Sequence, residues 1–220
     1  MDTLNYIKNK YGLRYHVPMP ILLPIDRDKG LSGLLNELGC KIGVEVGTQK
    51  GRYATWLFSR IKGLKLYCVD PWAYYEGYIE TNRWLDQTTF DGFFEIAKKR
   101  LEGKNVEFIR KYSMDAVKDF KDESLDFVYI DGNHTFEYVI DDVAAWEKKV
   151  KVGGIVAGHD YRNSIDRVKK GSNALTPFER IKLIQVKTAM DAWTLANRIK
   201  PWFATTATAT DRSPSWFYVK

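Results

Sequence analysis

Two cysteines and three histidines among 220 residues leave little material for a disulfide framework or a zinc cluster. Cys40 and Cys68 have no spaced partners and lie beside apolar, strand-like runs, so buried free thiols are expected. Long hydrophobic runs are missing too. The early stretch HVPMPILLPI is broken by prolines and flanked by charge, and a spanning helix needs roughly 20 apolar residues. The N-terminus MDTLNYIKNKYG is polar where a secretory signal would be apolar, so a soluble, cytoplasmic protein without membrane attachment is expected. Internal repeats and low-complexity linkers are likewise missing. With 45% hydrophobic content, 220 residues suit one sizeable core.

A dense basic tract is also lacking, although the net charge is +6. Much of the excess falls between Arg162 and Lys200, where nine Lys or Arg face three acids. A solvated helix face accounts for this better than a phosphate-binding patch, and nucleic acid is not the expected partner.

What is present is a rhythm of short apolar strands ended by polar residues. KIGVEVGTQKG, LKLYCVD, VEFIRKYS, SLDFVYIDGNH and GGIVAGHDY alternate with helical spacing at Tyr53 to Ile61, Phe90 to Leu101, Met114 to Phe120 and Phe136 to Val150. This alternation predicts a parallel sheet with helices on both faces. Right-handed crossovers then place every strand's C-terminal end on one edge, where open α/β sheets bind ligands. That edge collects Glu45, Asp70, Ser113, Asp131 and Asp160. Residues 1–40 are expected as an N-terminal helical extension, with GLSGLLNELG a short helix closed by Gly39, and residues 41–220 as the ligand-binding domain. After a helix from Pro177 to about Ile199, WFATTATAT and WFYVK predict a C-terminal antiparallel hairpin.

Three strand ends point to one nucleoside ligand. In Glu45-x-Gly47-x-x-x-Gly51, glycine permits a sharp turn and close approach to a helix N-terminus. Gln49 stands where a dinucleotide fold needs its second glycine, which counts against NAD. Asp70 can accept hydrogen bonds from ribose hydroxyls, or cap a helix before Pro71; Ser113 can contact a base, or cap the helix that it begins.

Asp126 to Tyr161, DFVYIDGNHTFEYVIDDVAAWEKKVKVGGIVAGHDY, with the Glu45 to Gly51 loop, resembles class I S-adenosylmethionine-dependent methyltransferases. The similar branch holds small-molecule O-methyltransferases, including sugar and macrolide methyltransferases and cephalosporin-hydroxylase-like proteins. The resemblance covers roughly residues 40–160 and implies a Rossmann-like, mostly parallel seven-stranded sheet. It also implies that Glu45, Gly47, Thr48 and Gly51 hold the methionine part of S-adenosylmethionine, Asp70 the ribose, and Ser113 with Met114 the adenine, with Asp131 beside the donor.

Methyl transfer from a sulfonium needs an aligned acceptor and a route for its proton, not a covalent nucleophile. Asp131, Asn133, His134, His159 and Asp160 fall on two neighbouring strand ends. Asp131, His159 and Asp160 are the candidate ligands for Mg²⁺ or another divalent cation, and Asp131 with His134 the candidate catalytic pair. The metal-dependent relatives place an acidic base where this chain has Asn133, which makes His134 the better base. Trp72, Tyr74, Tyr75, Tyr78 and Trp84 form either a lid over the acceptor or a helix packed on the sheet. The expected reaction is methylation of a hydroxyl on a small molecule or saccharide.

Two rivals are weighed against this. A nucleic-acid-directed methyltransferase would carry an Asn/Asp/Ser-Pro-Pro-aromatic motif or a Pro-Cys nucleophile, where DGNH stands instead. A non-catalytic nucleoside-binding protein would not need the acids at Asp131 and Asp160.

Overall fold

The computed structural model describes residues 2–13, 18–75, 86–164, 184–209 and 211–220. Its centre is an eight-stranded sheet in the order β1-β7-β8-β6-β5-β2-β3-β4. The strands are β1 (Ile21–Leu23), β2 (Ile42–Val46), β3 (Lys65–Val69), β4 (Val106–Ile109), β5 (Leu125–Ile130), β6 (Val150–Gly158), β7 (Trp202–Thr205) and β8 (Trp216–Val219). All run in one direction except β8, which is antiparallel to both β6 and β7. The C-terminal hairpin is therefore present. The eighth strand comes from the N-terminal segment, where β1 pairs with β7 through Ile21 and Phe203.

Helices α1 (Thr3–Lys10), α2 (Ser32–Glu37), α3 (Arg52–Arg60), α4 (Gln87–Arg100), α5 (Ser113–Ala116), α6 (Phe136–Glu147) and α7 (Val186–Ala196) cover the sheet. A wide helical turn at Arg27–Leu31 leads into α2, capped by Asp26, whose carboxylate accepts from the N–H groups of Lys29 and Gly30. The region expected as one helix from Met114 is α5 followed by a tighter turn at Val117–Asp119.

Alternate residues of the central strands enter opposite cores, as the two-residue strand period requires. Val44, Val46, Val128 and Val156 join Val143, Trp146 and Met190 on one face. Leu66, Cys68, Phe127, Tyr129 and Ala157 join Leu34, Leu57 and Ile7 on the other. Both cysteines are buried free thiols, and burial pushes the Cys40 thiol up to about 12. Among the described residues, no helix is long and apolar enough to cross a membrane.

β2 has β3 on one side and β5 on the other, so chain order reverses there. A parallel sheet opens a crevice at such a reversal, beyond the C-terminal ends of its strands.

Candidate active site

A cavity of about 520 Å³ lies at that crevice, lined by Gly47, Gln49, Asp70, Ser113, Asp131 and His134 among others. Its floor is the turn after β2. Gly47 takes φ +88°, and a Cβ there would stand 2.1 Å from the Asp131 carbonyl oxygen. The chain itself thus requires glycine at this turn, apart from any ligand. Gln49 is left-handed as well, at φ +47°. Its N–H donates to Asp70 Oδ2 at 2.8 Å, and its carbonyl accepts from Trp72 Nε1 at 2.7 Å. Asp70 Oδ1 accepts from the Trp72 N–H at 2.7 Å. The Asp70 carboxylate therefore ties two loops while facing the cavity. Burial pushes it up to about 6, against the two N–H bonds that favour its charge.

The far wall is built on α5 and α6. Ser113 Oγ donates to Asp142 Oδ1 at 2.5 Å and accepts from Trp146 Nε1 at 2.8 Å. Asp142 is buried, lines the cavity, and is pushed up to about 7 by that burial. Tyr75, Tyr112 and Tyr138 stand at the mouth. The Tyr75 ring lies 5.4 Å from Tyr112 and 5.9 Å from Tyr138.

At the ends of β5 and β6 two carboxylates converge on one imidazole. His134 Nε2 is 3.2 Å from Asp131 Oδ1 and 3.5 Å from Asp160 Oδ2. One atom each from Asp131, His134 and Asp160 lies within 4.8 Å of the others, a separation and donor set that a divalent cation can bridge. His159 borders this group and bridges it to Asp211. Its Nε2 is 3.0 Å from Asp211 Oδ1, and its Nδ1 is 3.5 Å from Asp131 Oδ1. Burial alone would raise the Asp131 carboxyl. The charge of His159 and the hydrogen bonds of both histidines overcome this and hold it well below the usual carboxylate range. Burial would likewise lower His159, but Asp131 and Asp211 bring it up to about 9. Asp160 adopts φ +52°, a conformation that few non-glycine residues hold.

A methyltransferase-domain family model matches residues 44–161, just over half of the chain. The chain belongs to the methyltransferase domain family. It bears out the class I S-adenosylmethionine-dependent resemblance read from Glu45 to Gly51 and from Asp126 to Tyr161. A curated relative, an uncharacterised protein of Acanthamoeba polyphaga mimivirus, is 28% identical over 163 residues, covering 72% of this chain. The chain spans 66% of that relative's length, a little under two thirds. Among solved structures, an O-methyltransferase from Bacillus cereus in complex with SAH superposes with TM-score 0.60 at 18% identity, covering 100% of this chain and 91% of that one. The O-methyltransferase TomG from Streptomyces achromogenes, involved in tomaymycin synthesis and in complex with SAM, gives TM-score 0.58 at 14% identity, covering 100% and 90%. These likenesses establish the Rossmann-like fold.

In this member of the methyltransferase domain family, the sequence candidates Gly47, Asp70, Ser113, Met114, Asp131 and His134 all line the cavity. Glu45, Thr48, Gly51, His159 and Asp160 do not. Glu45 is 2% exposed, and burial pushes its carboxyl up to about 8. It lies on the strand face that carries Cys68, whose Sγ is 3.9 Å from Glu45 Oε2. Thr48 is buried, and Gly51, at φ +69°, begins α3 against Leu101 and Ala97. Asn133 Oδ1 accepts from the Thr135 N–H at 3.0 Å, a turn that leads into α6. Trp72 and Tyr75 both border the cavity, but Trp72 is in addition buried against Phe94 and Phe108. Tyr78 and Trp84 lie outside the described residues, as does the first part of the helix expected from Pro177.

Sequence reasoning missed Asp142, Arg27 and Asp211. Asp142 shares a helix face with Val139, Val143 and Trp146, which are all buried; a carboxylate in that stripe was the available signal.

Proposed function

We propose that this protein transfers the methyl group of S-adenosylmethionine to a hydroxyl of a small molecule or saccharide. The observation that carries the reading is a crevice lined by Asp70, Ser113, Asp131 and His134, the last two of which group with Asp160. The turn at Gly47 supports the methionine part, Asp70 the ribose hydroxyls, and Ser113 with Met114 the adenine. Both O-methyltransferase neighbours that carry SAH or SAM share this fold, and that supports the choice of donor.

In the transfer, the acceptor oxygen attacks the sulfonium methyl in line. The new O–C bond forms as the C–S bond breaks, the electron pair returns to sulfur, and the hydroxyl proton must leave. On this reading His134 or Asp131 takes that proton. Either role needs the lone pair of His134 Nε2, which lies 3.2 Å from Asp131 Oδ1. The closeness of one atom each from Asp131, His134 and Asp160, within 4.8 Å, supports these three as ligands of a divalent cation, with His159 held by Asp211. Such a cation, when bound, would lower the acceptor hydroxyl's pKa. The metal-free alternative keeps His134 as the base. The two are exclusive, because both use Nε2.

The test is turnover against a panel of hydroxylated small molecules and saccharides, followed by release of S-adenosylhomocysteine. Asp131→Asn and Asp160→Asn should abolish turnover and leave donor affinity within a few-fold. Full activity in both variants places the active site elsewhere. Activity that survives EDTA but falls by roughly 10²–10⁴ in His134→Ala assigns base catalysis without a metal.

A further inference from the structure

The turn between β7 and β8 reaches the two site carboxylates from behind, through two arginines. Asp211 Oδ2 lies 3.1 Å from Nε of Arg27, and Arg27 Nη1 lies 3.5 Å from Asp131 Oδ2. Two residues on, Ser213 Oγ accepts from Arg162 Nε at 2.7 Å, and the same Nε lies 3.0 Å from Asp160 Oδ1. The two arrangements are alike in outline, although Arg162 Nε makes hydrogen bonds whereas Arg27 Nε meets Asp211 as an ion pair without hydrogen-bond geometry. Each carboxylate turns one oxygen to an arginine and the other to His134, as Asp131 Oδ1 and Asp160 Oδ2 do. Asp211 also holds His159 through its other oxygen, so this one turn contacts three of the groups around the pair.

Arg27 is an unusual residue to find at this place. It comes from the helical turn before α2, far from Asp131 in sequence, and is 6% exposed. Its guanidinium lies 5.0 Å from the Tyr53 ring centre and 3.4 Å from Asp28 at the nearest approach. Burying an arginine among carboxylates gains little stability, because desolvation offsets most of the attraction, whereas its planar fork fixes directions well. None of Arg27, Arg162, Asp211 and Ser213 belongs to the cavity lining, so none is placed to touch the donor.

We propose that Arg27 and Arg162, anchored on Asp211 and Ser213, are positioning residues that orient the Asp131 and Asp160 carboxylates toward His134. The inference rests on the reading of Asp131, His134 and Asp160 as a cation site. It makes the N-terminal segment and the C-terminal hairpin working parts of the site. A merely structural tie would change the melting temperature and leave cation affinity alone. Simple electrostatics would go the other way, since removing a positive charge beside a cation site should tighten cation binding. Only loss of orientation weakens it.

The experiment titrates Mn²⁺ into the full chain and reads free Mn²⁺ by electron paramagnetic resonance, with S-adenosylmethionine affinity and thermal midpoint measured alongside. Arg162→Met should weaken Mn²⁺ binding at least tenfold, Ser213→Ala by a smaller factor, and Arg162→Lys should recover part of the loss. Donor affinity should stay within threefold throughout. Arg27→Met should act like Arg162→Met; because it leaves Asp28, Asp131 and Asp211 around a vacated site, Arg162 and Ser213 carry the test if that variant fails to fold. Variants that bind Mn²⁺ as tightly as wild type, or more tightly, overturn the positioning role. A wild-type chain that takes up no Mn²⁺ overturns the cation-site reading itself, and the inference falls with it.

Discussion

Gly47 and Asp131 meet backbone to backbone: an added Cβ on Gly47 would stand 2.1 Å from the Asp131 carbonyl oxygen and 2.4 Å from its carbonyl carbon. The turn after β2 and the candidate catalytic acid are therefore one mechanical unit. Gly47→Ala must both leave a left-handed φ and push β5 away. We expect a cost of at least about 2 kcal/mol, which corresponds to a midpoint lowered by roughly 5 °C or more in a chain of this size. A thermal melt checks it. A midpoint within 1 °C of wild type would show that the turn relaxes freely.

Asp70 uses both oxygens on backbone N–H groups, those of Gln49 and Trp72. Asparagine offers one acceptor oxygen and would set its NH₂ against the other donor. Asp70→Asn should therefore impair S-adenosylmethionine binding almost as much as Asp70→Ala. Calorimetry on the two variants decides, and near-normal affinity in the asparagine variant would refute the double-acceptor role.

Tyr75 and Trp72 both border the cavity but should differ in what they cost in stability. Trp72 is among the largest fully buried side chains, so Trp72→Ala should cost about 3–5 kcal/mol of stability. Tyr75→Ala should leave the midpoint within about 2 °C and weaken ligand binding instead, because Tyr75 borders the cavity. Equal losses of stability in both would remove the tyrosine mouth as a binding element.

Asp142 gives stability a pH dependence of defined sign. Its carboxyl titrates at 3.8 in a model peptide, and burial brings it to about 7 in the folded chain. Between these values the folded state keeps a proton that the unfolded chain has released, so this group's contribution to stability falls as pH rises from about 4 to 7. Asp142→Asn keeps a partner for Ser113 and removes the titration. Denaturant melts across that window should show a flatter profile in the variant. An unchanged slope would mean that Asp142 is ionised throughout.

Much of the parallel sheet was legible because its strands are short β-branched runs ended by acids at Asp70, Asp131 and Asp160, with a helical period between them. The position of Asp70 and Ser113 across one crevice followed from strand order alone. β1 was not legible: three residues between prolines, paired only through β7 some 180 positions later, carry no local signal. Arg27 and Asp211 escaped for a related reason. Each sits in a polar, charged stretch, IDRDKG and DRSPS, that reads as surface until the two chain ends are brought together. Glu45 shows the converse. Its motif position recommends it for the ligand, while the strand period sets it beside Cys68 and Tyr129, and it is not among the residues that line the cavity.

The central claim is that the crevice between β2 and β5 holds S-adenosylmethionine. Isothermal titration of the full chain with S-adenosylmethionine, S-adenosylhomocysteine and NAD tests it most directly. We expect one saturable site per chain for the first two, no saturable heat with NAD, and affinity at least tenfold weaker in Asp70→Ala, since each charge-assisted hydrogen bond lost there is worth about 1.5–3 kcal/mol. No binding of either sulfur ligand, or undiminished affinity in Asp70→Ala, would contradict the account.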